Sequence, residues 1–180
     1  LPVAAGCGDS AASSLGAGIT EIGEIYDVAG TASIFSYTTD RFTPDVENKT
    51  MMMTRSVIEG QWNALAYISG GGLCIKWYKG ISGKDYEELD KAAAETEAGC
   101  NGLLFIPHFA GRTCPNVPEI KGTWLGMNWQ HGNSEMYRSI MESIAYEYCM
   151  YLDALYSLDK TVSPIAVYGV GGGSRSKIFS

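Results

Sequence analysis

The chain is short of basic residues, of long apolar runs and of paired cysteines, and each shortage closes off a class of function. Lys and Arg number 13 against 20 Asp and Glu, giving a formal net charge of −7 and a pI near 4.8. Without a basic tract the surface cannot track a nucleic-acid backbone, and an anionic membrane would repel it. No apolar run approaches the ~18 residues of a membrane span. The longest candidate, Ile140 to Leu158, carries Glu142, Glu147 and Asp153. The opening LPVAAGCGDSAASS has neither a basic start nor a long apolar centre, so no signal peptide is expected. It has no initiator Met either, and the chain reads as a piece of a longer protein. Cys7, Cys74, Cys100, Cys114 and Cys149 never come closer than fourteen positions. That excludes CxxC spacing, and the odd count argues against a disulfide framework. Reduced thiols in a cytoplasmic protein are the expectation. His108 and His131 lack ligand spacing, so no protein-held metal is predicted.

What is present is a composition able to bury a core, with 46% hydrophobic residues over 180 positions, and an excess of glycine, 22 residues. One domain, or a large part of one, is expected. Pro2–Cys7 reads as a short strand leading through Gly8-Asp9 into a helix over Ser10–Leu15. Glu24–Ala29 and Ala32–Tyr37, joined at Gly30-Thr31, predict an antiparallel hairpin. Met51–Ile58 and Trp62–Ser69 are extended, with Met51-Met52-Met53 as strand core, and Leu73–Tyr78 is a short helix. Asp85–Glu97 has the clearest helical signals: Asp85 as N-cap, Glu88 completing a capping box, Gly99 as the stop. Gly102–Pro107 predicts a buried strand, and His108–His131 an irregular Pro/Gly-rich segment. Met136, Ile140, Ile144, Tyr148, Leu152 and Leu155 recur at helical spacing from Asn133 to about Ser157. Pro164–Val170 is a strand, and Gly171-Gly172-Gly173-Ser174 begins a last helix. This order predicts an α/β layer fold on one mixed sheet.

The glycines fall into a pattern. Ala29-Gly30-Thr31-Ala32-Ser33, Ser69-Gly70-Gly71-Gly72 and Gly169-Val170-Gly171-Gly172-Gly173-Ser174 each join an extended segment to a glycine turn. Glycine lets the backbone approach a ligand closely, and successive N–H groups can face phosphate. Any one of them reads as a tight turn or a helix–sheet contact; three in one acidic chain favour a nucleotide pocket. The last resembles a dinucleotide fingerprint but lies at the wrong end of the chain for one, and no Walker A order is present. Asp9 reads either as the N-cap of Ser10–Leu15 or as a carboxylate projecting beside a helix N-terminus. Cys7 lacks a base partner and is expected to be a small packed thiol. Trp124 and Trp129 are expected as loop anchors or interface residues.

Several stretches, in order along the whole chain, resemble the C-terminal domain of FGGY-family carbohydrate kinases. They are Pro2-Val3-Ala4-Ala5-Gly6-Cys7-Gly8-Asp9 with Ala11-Ala12 and Gly16; Tyr26–Ser33; Trp62 with Ser69–Gly72 and Ile75-Lys76-Trp77; Gly102–Pro107 with Gly111-Arg112, Pro115 and Gly122; Arg138–Tyr146; and Gly171–Ser174 with Ser176. Xylulose kinases look nearest. Gly111-Arg112-Thr113-Cys114-Pro115 departs from the Gly-Glu-Arg-Thr-Pro common among them, which bears on substrate identity.

The resemblance implies a ribonuclease-H-like domain of the actin/hexokinase ATPase superfamily, with a mixed five-stranded sheet and flanking helices. It implies ATP and Mg²⁺, and a sugar or polyol substrate such as the pentulose xylulose. Its implied partner is an N-terminal domain of the same polypeptide, with a homodimer possible. Under it, residues 1–180 are a nucleotide-binding half truncated at both ends and inactive by itself. Asp9 would be the catalytic base; Gly30, Thr31 and Ser33 would serve the phosphates. Gly72, Lys76, Gly172, Gly173 and Ser174 would serve the rest of the nucleotide. The competing expectation is a non-catalytic ATP-binding sensor or regulatory module of the same superfamily.

Overall fold

The structure, a computed structural model, describes residue 3 and residues 6–179. The strand expected over Pro2–Cys7 falls largely outside the described residues. Helix α1 spans Asp9–Gly16, with Gly8 in the N-cap position, so Asp9 is the first helical residue and not the cap. Strands β1 (Glu24–Ala29), β2 (Ser33–Thr39), β3 (Met52–Arg55) and β4 (Trp62–Ile68) follow. Then come α2 (Gly71–Ser82) and α3 (Tyr86–Glu95), the short strands β5 (Leu104–Ile106) and β6 (Thr123–Leu125), α4 (Asn133–Leu158) and β7 (Ala166–Val170).

Five strands form one mixed sheet in the order β3-β4-β2-β1-β7. β1–β2, β2–β4 and β3–β4 are antiparallel, while β7 runs parallel to β1. Period-two alternation gives the sheet a buried face. Ile25, Tyr37 and Ala64 form one cross-strand row and Asp27, Phe35 and Ala66 the next. The small Ala64 and Ala66 let α4 lie close, and Ile144, Tyr151 and Leu155 complete that core. Asp27 is polar on this apolar face. The Tyr148 hydroxyl donates to it at 2.6 Å; burial nevertheless pushes the Asp27 carboxyl above its usual range.

A second core gathers Cys74 and Tyr78 of α2, Leu89 and Ala93 of α3, Phe105 of β5, and Tyr137, Ile140 and Met141 of α4. α4 therefore serves both cores, with its two halves facing different partners. Its start is tied by Glu135, whose carboxylate accepts the Gly132 N–H at 2.9 Å.

The capping box of α3 forms as expected: Asp85 accepts the Glu88 N–H at 3.0 Å and Glu88 accepts the Asp85 N–H at 3.1 Å. The helix stops earlier than expected, at Glu95, with Thr96 as an extended C-cap. Gly99, at φ 84, opens a 3₁₀ turn instead. The segment Gly102–Pro107 does not join the main sheet. Its strand β5 pairs antiparallel with β6 in a separate ribbon, drawn from the segment expected to be irregular. The mixed five-stranded sheet forms as expected; what differs is that Gly102–Pro107 stays outside it, because β5 packs onto α4 and pairs with β6 alone. Met51 is buried but Met52 is 40% exposed, so only part of that run is core. Cys7 is exposed rather than packed. After β7 the chain makes a 3₁₀ turn, Gly173–Arg175. No described helix is long and apolar enough to cross a membrane.

Candidate active site

The three glycine turns follow β1, β4 and β7. β4 is antiparallel to β2, which is antiparallel to β1, and β7 is parallel to β1. All three strands consequently point the same way and deliver their turns to one edge of the sheet. Ligands of open α/β sheets bind at such carboxyl ends.

There the turns touch. A side chain at Gly72 would run into the Gly30 carbonyl oxygen, one at Gly71 into Ser33, and one at Gly173 would come within 2.6 Å of the Ala29 Cβ. The Leu73 N–H donates to the Thr31 carbonyl at 3.1 Å. Gly171, at φ 96, would press a side chain to 2.8 Å from the Ala29 oxygen. For these glycines the packing of turn on turn accounts for the residue type. Gly172 is different: nothing lies within 4 Å of the position its Cβ would take. Gly30 is also roomy, with ordinary contacts at 3.5 Å or more.

The turns border a cleft of about 610 Å³, within the usual size of a small-ligand site. Gly30, Thr31, Ser33, Gly72, Lys76, Gly172 and Gly173 all line it. Ser33 is buried, with its hydroxyl against Gly71. Ser174 does not line it; its hydroxyl donates to the Gly171 carbonyl at 2.8 Å and borders a second cavity of about 400 Å³. Asp9 lies outside the cleft lining as well. Its exposed carboxylate accepts only the Ser10 N–H among the described residues, at 2.8 Å.

Sequence reasoning missed several lining residues: Arg175 beside the last glycine turn, Tyr86 and Asp90 on α3, and Tyr137 and Met141 on α4. Arg175 could have been found from its place two residues beyond Gly173. Asp90 and Tyr137, 47 positions apart, carry no joint signal, yet the Tyr137 hydroxyl donates to Asp90 at 3.0 Å. Burial and the neighbouring Asp90 charge push the Tyr137 hydroxyl well above its usual range, keeping it a donor. The charged residues lining the cleft are Lys76, Arg175 and Asp90. Neither cation makes an ion pair among the described residues.

Other polar groups have structural work. His108 Nε2 and Arg112 meet Glu147 at 3.2 and 2.9 Å. Burial works against the Glu147 charge, but His108 and Arg112 outweigh it and hold the carboxyl below its usual range. His131 Nδ1 accepts the Asn128 N–H at 3.0 Å. Glu142 accepts from Arg138 at 2.7 Å and from the Gly99 N–H. Trp124 donates to Ser139 at 3.0 Å, while Trp129 is fully exposed. No group of three or more His, Cys, Asp or Glu is arranged to hold a metal among the described residues. Among the described residues the cleft therefore offers no protein cage for Mg²⁺.

Residues 25–180 match the family model for the FGGY family of carbohydrate kinases, C-terminal domain. The chain belongs to this family. FGGY relatives include the xylulose kinase of Escherichia coli strain K12, 25% identical over 181 residues, covering 99% of this chain and 37% of that protein. The gluconokinase of Bacillus licheniformis is 26% identical over 192 residues, with 99% and 37% covered. The crystal structure of xylulose kinase from Bifidobacterium adolescentis superposes with a TM-score of 0.84 at 26% identity, covering 97% of this chain and 34% of that one. The fold is that of the FGGY sugar kinases, of the actin/hexokinase ATPase type. The chain spans little more than a third of the length of the curated relatives it matches.

Proposed function

We propose that the cleft binds ATP and that residues 1–180 are the nucleotide-binding part of a two-domain kinase acting on a sugar or polyol hydroxyl. The observation that carries this reading is the pairing of open glycine backbone with unpaired Lys76 and Arg175 in a chain of net charge −7. Two cations left unneutralised in an acidic protein suit an anionic ligand. Gly30, Thr31 and Ser33 would serve the phosphates; Gly72, Lys76, Gly172 and Gly173 would border the remainder of the nucleotide. Ser174 would act indirectly, by holding the Gly171–Ser174 turn. Mg²⁺ would enter with the nucleotide.

Asp9 would act as general base. It would take the proton of the substrate hydroxyl as that oxygen attacks the γ-phosphorus and ADP leaves. Its exposure suits a substrate held mainly by a second domain of the same polypeptide. Xylulose is the substrate we favour, although xylulose kinases and gluconokinases match at similar identity.

The test is ATP turnover by the complete protein across a sugar panel, with ADP titrations beside it. Xylulose should stimulate turnover most; turnover with gluconate instead would correct the substrate. ADP binding without turnover on any sugar would point to a sensor module. Lys76→Ala and Arg175→Ala should each weaken ADP binding about three- to tenfold, more at low ionic strength. Unchanged affinity in both would take these two cations out of the nucleotide site.

A further inference from the structure

The end of the cleft away from the glycine turns is built differently. Its floor follows α4, where Ile144, Met141 and Tyr137 line one face. Ile144 belongs to the core against the sheet, Tyr137 to the core against α3. The seven helical steps from Tyr137 to Ile144 span about 10 Å, comparable to the distance from the β-phosphate to the base of a nucleoside diphosphate. At the α3 end stand Tyr86, Asp90 and Tyr137, two aromatic rings around the one carboxylate of the lining.

Asp90 is half-buried. One of its oxygens accepts the Tyr137 hydroxyl at 3.0 Å, and no other hydrogen bond or ion pair engages the carboxylate among the described residues. The clamp fixes the group's orientation and leaves the second oxygen as an acceptor. An ionised carboxylate has no proton to donate, so it accepts from an amino group and repels a carbonyl oxygen. Tyr137 is buried, so Tyr86, 45% exposed with Lys79 Nζ 4.8 Å over its ring, is the aromatic surface here that a planar base can reach.

Resting on the reading that the cleft takes ATP, we propose that Asp90, oriented by Tyr137, is the specificity determinant for the base and accepts a hydrogen bond from the exocyclic 6-amino group of adenine. Asp90 touches the ligand directly; Tyr137 is a positioning residue that acts through it.

The proposal is tested by titrating the complete protein calorimetrically with ADP, with the diphosphate of purine riboside (which lacks the 6-amino group) and with 2′-deoxy-ADP. The unaltered protein should lose about tenfold or more in affinity when the amino group is removed, as for a hydrogen bond to a charged acceptor. In Asp90→Ala the two ribonucleotides should bind alike. Tyr137→Phe keeps the carboxylate but frees it, so discrimination should fall to an intermediate value. Equal loss of affinity for the amino-free ligand in the unaltered protein and in Asp90→Ala overturns the proposal. So does an Asp90→Ala variant that loses discrimination only against 2′-deoxy-ADP, which would move Asp90 to the ribose. Undiminished discrimination in Tyr137→Phe overturns the clamp. If ADP fails to bind the folded, unaltered protein at all, the nucleotide reading falls and this one with it; ADP binding without coupling to Asp90 sinks this one alone. Alanine at position 90 favours the α3 helix, and the Asp90→Ala/Tyr137→Phe pair removes the orphaned hydroxyl should the single variant be unstable.

Discussion

Replacing Asp9 with asparagine in the complete protein is expected to lower kcat by at least about a hundredfold, the lower end of what general-base assistance contributes. Affinity for ATP should change little, because Asp9 lies outside the cleft lining and, among the described residues, its carboxylate meets only the Ser10 N–H. The fold should be equally unaffected. Gly8, not Asp9, holds the N-cap position of α1, and an asparagine oxygen can accept the same Ser10 N–H. An exposed site of this kind carries little stability to lose, so a folded variant with normal ATP binding and collapsed kcat isolates the proton transfer. Near-normal kcat in that variant would take the base assignment away from Asp9 and leave only the helix-terminus role, where a negative charge in the first turn is mildly favourable. Steady-state kinetics with saturating sugar, paired with a thermal melt, provide both readings.

The second large effect separates two kinds of glycine in the same cleft. Gly72→Ala should prevent the protein from folding normally or lower its Tm steeply, because the added methyl meets the Gly30 carbonyl, which is backbone and cannot swing away. Overpacking of well-packed regions typically costs about 1–3 kcal/mol, and a clash with backbone falls at or beyond the upper end. Gly172→Ala should do the opposite. Its φ of −67° suits any residue and its Cβ would point into open space, so the melting temperature should hold. If nucleotide lies against Gly172, however, the methyl occupies ligand space, and ADP affinity should fall about tenfold or more. A Gly172→Ala variant with unaltered ADP affinity would take that turn out of the ligand site, and a fully stable Gly72→Ala would mean that the turns are not packed as described.

Local signals in the sequence carried much of the secondary structure. The capping box at Asp85 and Glu88 located the start of α3, since both partners lie within one helical turn. The periodicity from Met136 to Leu155 located α4 along nearly its full length, and the hairpin around Gly30-Thr31 emerged as read. The errors arose where local pattern and tertiary pairing diverge. Gly102–Pro107 reads as a buried strand whatever it pairs with; only packing on α4 assigns it to a ribbon with Thr123–Leu125. Gly99 was expected to end α3, but the helix stops before it, and Arg138 binds the carbonyls of Ala93 and Thr96 at 2.9 and 2.7 Å. That partner comes from a helix more than forty residues away.

The candidate site divides along the same line. Three glycine turns after extended segments in an acidic chain are legible from residue order alone, and the order of the motifs marks the family. Strand direction is not: β1, β4 and β7 run in one sense only in the folded sheet, where the turns at 30, 72 and 173 converge on one cleft. The structure also distinguished glycines required by turn-on-turn packing from Gly172, which the fold would let change. It removed Ser174 from the cleft and brought in Arg175, Asp90 and Tyr137. The reason is physical: a turn's residue type reports backbone freedom at one point in the chain. Which turn meets which, and which charge is left unpaired between them, follows from strand direction and helix packing over separations that no local pattern encodes.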